Sequence, residues 1–276
     1  MSLIITATDF TPVAETAVNY ACRLAMDLDA EILVLHCYTF PVVFSDMPIP
    51  SPVNDMDRIA EDSMKALLER LHSAYPQVSI KGSVIYGDIQ EAIDEFSELN
   101  ESPVLVVIGN HYSVDNPAWH ESTLMDVFRH LRFPVLAIPA ETVYQKVKKI
   151  GFAYDNKYAG SSLALIELRE IVKLLNAELH VFFDVPDLLV DESFGKINDA
   201  ALNILSSAEP LYHVFYEKNI DEAIAGFIDK YNTDWLTIIP RKHSFFERLF
   251  RKSHTLSLVN NSHLPILALH EVQETR

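Results

Sequence analysis

The chain has 276 residues, 49% of them hydrophobic and 22% charged, which suits about two ordinary domains with large buried cores. A formal charge of −17 disfavours nucleic acid and anionic membrane as partners. The two cysteines, Cys22 and Cys37, sit in apolar contexts with no metal-ligand spacing, so neither a disulfide framework nor a zinc site is expected.

The first element is the apolar run Leu3-Ile4-Ile5-Thr6-Ala7, ending in Thr8-Asp9. It has no basic segment before it and reads as a strand rather than a signal peptide. No run approaches the ~18–20 apolar residues that span a bilayer, so the cytoplasm is the expected location. A helix over 12–28 follows, with Thr11 as N-cap and Pro12 in its first turn. A second strand covers 31–36. A loop from Thr39 to Asn54 with four prolines leads to a helix over about 55–74. That loop carries enough apolar residues to fold over its own domain or pack on a partner copy. A third strand spans 80–86, a helix begins at Ile89, a fourth strand covers 104–108 and a last one 135–138.

The series then repeats. Lys149-Ile-Gly-Phe-Ala-Tyr-Asp155 matches the opening run 146 residues on, and leads into a helix over 159–175. A strand over 178–183, a helix over about 192–208, a strand over 212–216 and a helix from Ile220 follow. At the end of each half the offset is 131. Val104–Gly109 aligns with Trp235–Pro240, and Phe133–Ile138 with Leu264–Leu269. Duplication of a unit of roughly 140 residues accounts for the pattern, giving domains at 1–140 and 141–276. The expected fold class is α/β: two tandem doubly wound, Rossmann-like domains, each a mostly parallel five-stranded sheet with helices on both faces. Ligands of such sheets bind beyond the carboxyl ends of the strands.

The residues at those ends resemble the universal stress protein family. Ile4-Ile5-Thr6-Ala7-Thr8-Asp9-Phe10-Thr11 is similar to its strand-one signature, Val34-Leu35-His36 to its second-strand ending, and Arg129-His130 with Pro134-Val135-Leu136 to its last helix and strand. The resemblance covers nearly the whole chain, twice, and it implies a binding or signalling role in stress response. ATP-binding members place adenine and ribose between the strand-one Asp and backbone groups after strand two. Their phosphates rest on a Gly-x2-Gly-x9-Gly-Ser/Thr stretch after strand four, where Gly lets backbone N–H groups approach phosphate oxygens.

Carried over residue by residue, this gives a nucleotide site in the first half of Ala7, Thr8, Asp9, Cys37, Ile108, Gly109, Ser122 and Thr123, with ATP or AMP and Mg as the implied ligands. Tyr112 replaces the second glycine and Glu121 or Ser122 the third. In the second half Asp155 is retained, Pro240 stands at the first glycine and His243 at the second. Arg241, Lys242, His243, Lys252 and Ser253 there suit a different small anionic ligand, since Arg gives charge-assisted contacts to phosphate. Residues 1–140 hold 7 basic and 20 acidic residues and the remainder 15 and 19, so the basic stretch 241–254 is a local feature.

Simpler readings stand beside these. Asp9 and Asp155 suit helix capping, His36 a hydrogen-bonded core position, Cys37 a small buried hydrophobe, and 241–254 an amphipathic helix with a solvated basic face. No P-loop, Gly-x-Gly-x2-Gly, nucleophile elbow or Cys–His pattern is present, and no residue is assigned a catalytic or metal-binding role. Slow ATP hydrolysis stays open, as does a scaffold role without nucleotide. Pairing through the final strands, common in the family, implies contact between 135–138 and 266–269 inside one chain. Association of two chains into a homodimer is left open.

Overall fold

The structure is a computed structural model that describes residues 2–39, 53–110, 127–128, 131–154, 162–184, 203–215, 220–240 and 264–270. Five strands come from the first half: β1 (Ser2–Ala7), β2 (Ala30–Tyr38), β3 (Ile80–Tyr86), β4 (Leu105–Asn110) and β5 (Val135–Pro139). Five come from the second: β6 (Lys149–Tyr154), β7 (Glu178–Asp184), β8 (Leu211–Phe215), β9 (Trp235–Ile238) and β10 (Ile266–Ala268). The longer helices among the described residues are α1 (Pro12–Leu28), α2 (Val53–Ala74), α3 (Ile89–Leu99), α4 (Ser162–Leu175) and α5 (Ile220–Tyr231).

All ten strands form one sheet in the order β3-β2-β1-β4-β5-β10-β9-β6-β7-β8. The second five repeat the order of the first five in reverse direction. Eight of the nine neighbouring pairs are parallel. The ninth, β5 with β10, is antiparallel and joins the halves through Val135↔Ala268, Leu136↔Leu267 and Ala137↔Ile266. Leu136 and Leu267, equivalent at an offset of 131, face each other at its centre. That self-complementary pairing is what a local twofold requires, and it covers two strand edges that would otherwise template aggregation. All six residues are essentially inaccessible to solvent, and full burial of each leucine contributes about 1.5–3 kcal/mol.

The helices cover both faces, and each face carries a core that runs through both halves. One holds Ile4, Val107, Leu136, Ile150, Trp235 and Leu267; the other holds Ile5, Val106, Ala137, Leu236, Phe227 and Ile266. The segment between the halves is pinned at both ends. Thr16 Oγ1 donates to the Ala140 carbonyl (3.1 Å) and Tyr144 Oη to Asp27 Oδ2 (2.5 Å). Asp234 Oδ2 accepts from the amides of Lys148 (2.7 Å) and Lys149 (2.8 Å), which fixes the entry to β6.

One alignment needs correction. The 131-residue offset between the fourth strands of the two halves is one too many. Val104 N donates to Leu3 O (2.9 Å) and Asp234 N to Lys149 O (2.8 Å), so Val104 corresponds to Asp234. Leu105 and Trp235 then point into the same core, as do Val106 and Leu236. An offset of 131 would swap the faces, because strand side chains alternate with period two. Gly109 therefore corresponds to Ile239, and Pro240 takes the place of Asn110 rather than of the glycine.

Candidate functional site

β1 lies between β2 and β4, so the carboxyl ends of these three strands are neighbours, as the sheet order requires. The ladder runs one residue beyond β1, where Thr8 N donates to Leu35 O (2.8 Å). The chain then turns sharply. Phe10 has φ 61°, a left-handed conformation that costs a non-glycine residue about 1 kcal/mol or more. Three contacts hold it. Thr8 Oγ1 accepts from Phe10 N (3.0 Å), and His36 Nδ1–H donates to the Thr8 carbonyl (2.8 Å). The Phe10 ring packs on the His36 ring at 4.5 Å between centroids. His36 is thus a structural histidine that ties the end of β2 to the turn after β1.

Asp9 is exposed at this turn. Its Oδ1 accepts from Thr11 N (3.0 Å) and from Thr11 Oγ1–H (2.6 Å). Thr11 Oγ1 in turn accepts from Ala14 N (3.3 Å), with Pro12 opening the helix. Thr11 is the N-cap of α1, and Asp9 orients the cap. A carboxylate set at the start of a 17-residue helix also meets the positive end of its dipole.

Gly109, near the end of β4, is held against the first turn of α1. A Cβ there would lie 3.1 Å from the Val13 backbone carbon, its carbonyl oxygen and its Cγ1. The absent side chain lets α1 approach β4, which gives this glycine a packing role. Ile108 and Thr8 are buried, and Ala7 is half-buried where the chain enters the turn. Cys37 lies two residues beyond Leu35 on β2 and pairs with Ile85 of β3. Burial, helped by the charge of Asp88, pushes its thiol up to about 11, which makes it a poor nucleophile at neutral pH.

The structure therefore gathers Ala7, Thr8, Asp9, Ile108 and Gly109 around the N-terminus of α1, with Cys37 at the neighbouring strand end. Ser122, Thr123, Asp155, Arg241, Lys242, His243, Lys252 and Ser253 lie outside the described residues, as do Tyr112, Glu121, residues 40–52 and the basic stretch 241–254. A separate cleft of about 400 Å3 runs along α1 past Pro12, Asn19 and Arg23 to the segment 142–144, and includes none of these site residues in its wall. Among the described residues no three metal-ligating side chains converge, and no helix is long and apolar enough to cross a membrane.

Sequence reasoning missed three features. Trp235 Nε1 donates to Tyr20 Oη (2.7 Å), a buried bond between the halves. His180 and His213 are in contact on adjacent strands. Glu167 on α4 buries Oε2 without a hydrogen-bond partner among the described residues, and burial pushes its carboxyl up to about 7. The only sequence signal for these was polar residues within otherwise apolar runs.

Known structures share the fold along the full length. A universal stress protein from Archaeoglobus fulgidus DSM 4304 superposes with a TM-score of 0.64 at 16% identity, over 98% of this chain and 96% of its own. A functionally unknown protein from Pseudomonas aeruginosa PAO1 gives 0.54 at 17% identity, over 98% and 93%. No curated protein matches the chain. The sequence profile described as the universal stress protein family matches residues 1–139. With that match over half its length, the chain belongs to the universal stress protein family.

Proposed function

We propose that the chain is a cytoplasmic, nucleotide-responsive binding module of the stress response, built from two copies of one domain at 1–140 and 141–276. Its ligand is an adenine nucleotide, ATP or AMP with Mg, seated beyond β1, β2 and β4 in the first domain. The observation that carries this reading is Asp9, an exposed carboxylate held by Thr11 at the end of the central strand, beside the N-terminus of α1, whose Val13 packs on Gly109. Asp9 is placed to accept hydrogen bonds from ribose hydroxyls, and the helix terminus favours phosphate. Family membership supports the same reading. Glycine is absent from two of the three loop positions that cradle phosphate in ATP-binding members, so recognition rests more on base and ribose than on the phosphate chain. In the second domain the basic residues Arg241, Lys242 and Lys252, with His243, Ser253 and the retained Asp155, suit a different small anionic ligand.

Two contacts favour a second reading, an interaction scaffold without nucleotide. The Val13 contact accounts for Gly109 by packing alone, and the Thr11 cap accounts for Asp9. Thermal denaturation with ATP, ADP, AMP and GTP, each with Mg, separates the two. A binder of adenine nucleotides melts higher with the adenine members, by RT ln(1 + [L]/Kd) in stability, and less with GTP. No shift with any of the four supports the scaffold.

A further inference from the structure

At the far end of the second half, two histidines touch. His180 on β7 and His213 on β8 project from the same face, since Phe182 is the register partner of His213 and His180 lies two residues before it. Their rings are 10° from parallel, with centroids 5.2 Å apart. His180 Nδ1 and His213 Nε2 are 3.1 Å apart, and His180 Nε2 is 3.3 Å from Glu178 Oε2. His180 is buried and His213 half-buried. Helix α5 covers the pair with aromatic rings: the Tyr231 centroid is 4.1 Å from that of His213 and 5.5 Å from that of His180, and Phe227 packs on both. Lys230 on the same helix sets its ammonium 5.2 Å from the Tyr231 ring.

Proton counting fixes the behaviour of this contact. Glu178 accepts from His180 Nε2–H, which leaves Nδ1 of His180 bare. That nitrogen accepts from His213 Nε2–H, and the neutral pair is satisfied. A first added proton goes to the open Nδ1 of His213 and leaves the N–H···N contact intact. A second can only go to Nδ1 of His180, where it sets N–H against H–N and two imidazolium rings side by side. Among the described groups, the charges facing the pair are the solvated carboxylate of Glu178 on β7 and the ammonium of Lys230 on α5. One exposed carboxylate does not offset two imidazoliums and a lysine. Burial, the neighbouring His180 and Lys230 all hold His213 towards its neutral form.

We infer that the His180–His213 contact is an acid-sensitive latch that fastens β8 and α5 to β7. β8 ends the strand order, and among the described strands it pairs with β7, so loss of the contact falls on an edge strand. The direction follows from linkage. His213, held towards its neutral form when folded, contributes stability that is present above ~6.5 and is lost as pH falls through and below it, because the unfolded chain takes up a proton that the folded pair resists. The chain then loosens locally at one end while the first half stays closed.

Hydrogen exchange on the full chain at about pH 7.5 and about pH 5.5, corrected for intrinsic rates, tests this. The expected result is a loss of protection of about tenfold or more at residues 211–215 and 220–231, with β1 and α1 little changed. His213→Gln keeps an uncharged donor to His180 and should remove the acid-specific loss. No acid loosening at these residues, loosening spread evenly over both halves, or its persistence in His213→Gln would overturn the inference.

Discussion

The indole nitrogen of Trp235 donates a 2.7 Å hydrogen bond to the hydroxyl of Tyr20, and the two residues belong to different halves of the chain. Trp235 opens β9 and is fully buried; Tyr20 sits on α1 and is 4% exposed. The bond means that α1 of the first half closes over the sheet of the second. Tyr144, from the segment between the halves, adds an edge-on contact to Tyr20 at 4.9 Å. The halves are thus joined through β5–β10 in the sheet and through Tyr20 in the helix layer.

Tyr20→Phe should destabilise the whole chain by about 1–3 kcal/mol, because it strands a buried indole N–H without an acceptor. Trp235→Phe removes the donor but also some volume. The double variant should cost less than the sum of the singles. Urea denaturation of the three variants measures this. Strict additivity would mean that the bond contributes nothing.

Gly109→Ala should lower stability by about 1–3 kcal/mol through overpacking, since the new methyl meets the Val13 backbone at 3.1 Å. The loss should appear in thermal melts without ligand. An unchanged melting temperature would show that α1 can move aside, and would return the glycine to a purely ligand-facing role.

Glu167→Gln should stabilise the protein at alkaline pH and not at acid pH. The folded carboxyl is raised to about 7 by burial, against an ordinary value near 4.3. Its penalty is therefore absent below the ordinary value, and grows as pH rises to about 7. Above that the gain from removing the charge should reach about 1–2 kcal/mol, held down because the group is partly solvated. Melting curves of both proteins at pH values from about 4 to about 9 should converge at the acid end. Equal differences at both ends would contradict the assignment.

Leu267→Ala should cost about 2–5 kcal/mol, the range for a buried leucine whose site cannot collapse. The same change at Leu136 should cost a similar amount, because the two face each other across the β5–β10 junction. Denaturation of both variants checks it. A large difference between them would mean that the local symmetry does not extend to energetics.

Much of the fold was legible because its signals are local. The opening apolar run, Thr11 with Pro12, and the bounds of α1 and β3 read directly from residue type. The pairing of 135–138 with 266–269 followed from the family's habit together with the internal repeat. The one-residue error at β9 arose because the two fourth strands are alike at any offset: Val-Leu-Val-Val-Ile and Trp-Leu-Thr-Ile-Ile carry no polar alternation to set the face. Hydrogen bonds from Val104 and Asp234 were needed to set it.

The site was half legible. Asp9 and Gly109 came from the family resemblance, carried over onto the ends of the first and fourth strands; His36 was expected as a hydrogen-bonded core histidine, and it makes its bond to Thr8 from a half-buried position rather than from the core. The packing role of Gly109 was hidden, since it depends on how closely α1 approaches β4. Tyr20 with Trp235 and His180 with His213 lie 215 and 33 residues apart, and no spacing rule connects them.

Calorimetric titration with Mg-ATP and with AMP, on the wild type and on Asp9→Asn, tests the central claim most directly. Asn keeps an oxygen to accept from Thr11, so the helix cap and the melting temperature should survive. Micromolar binding, about −8 kcal/mol, that is lost in Asp9→Asn is the result the account predicts. Folded wild-type protein that takes up neither nucleotide, or binding that Asp9→Asn leaves unchanged, would contradict it.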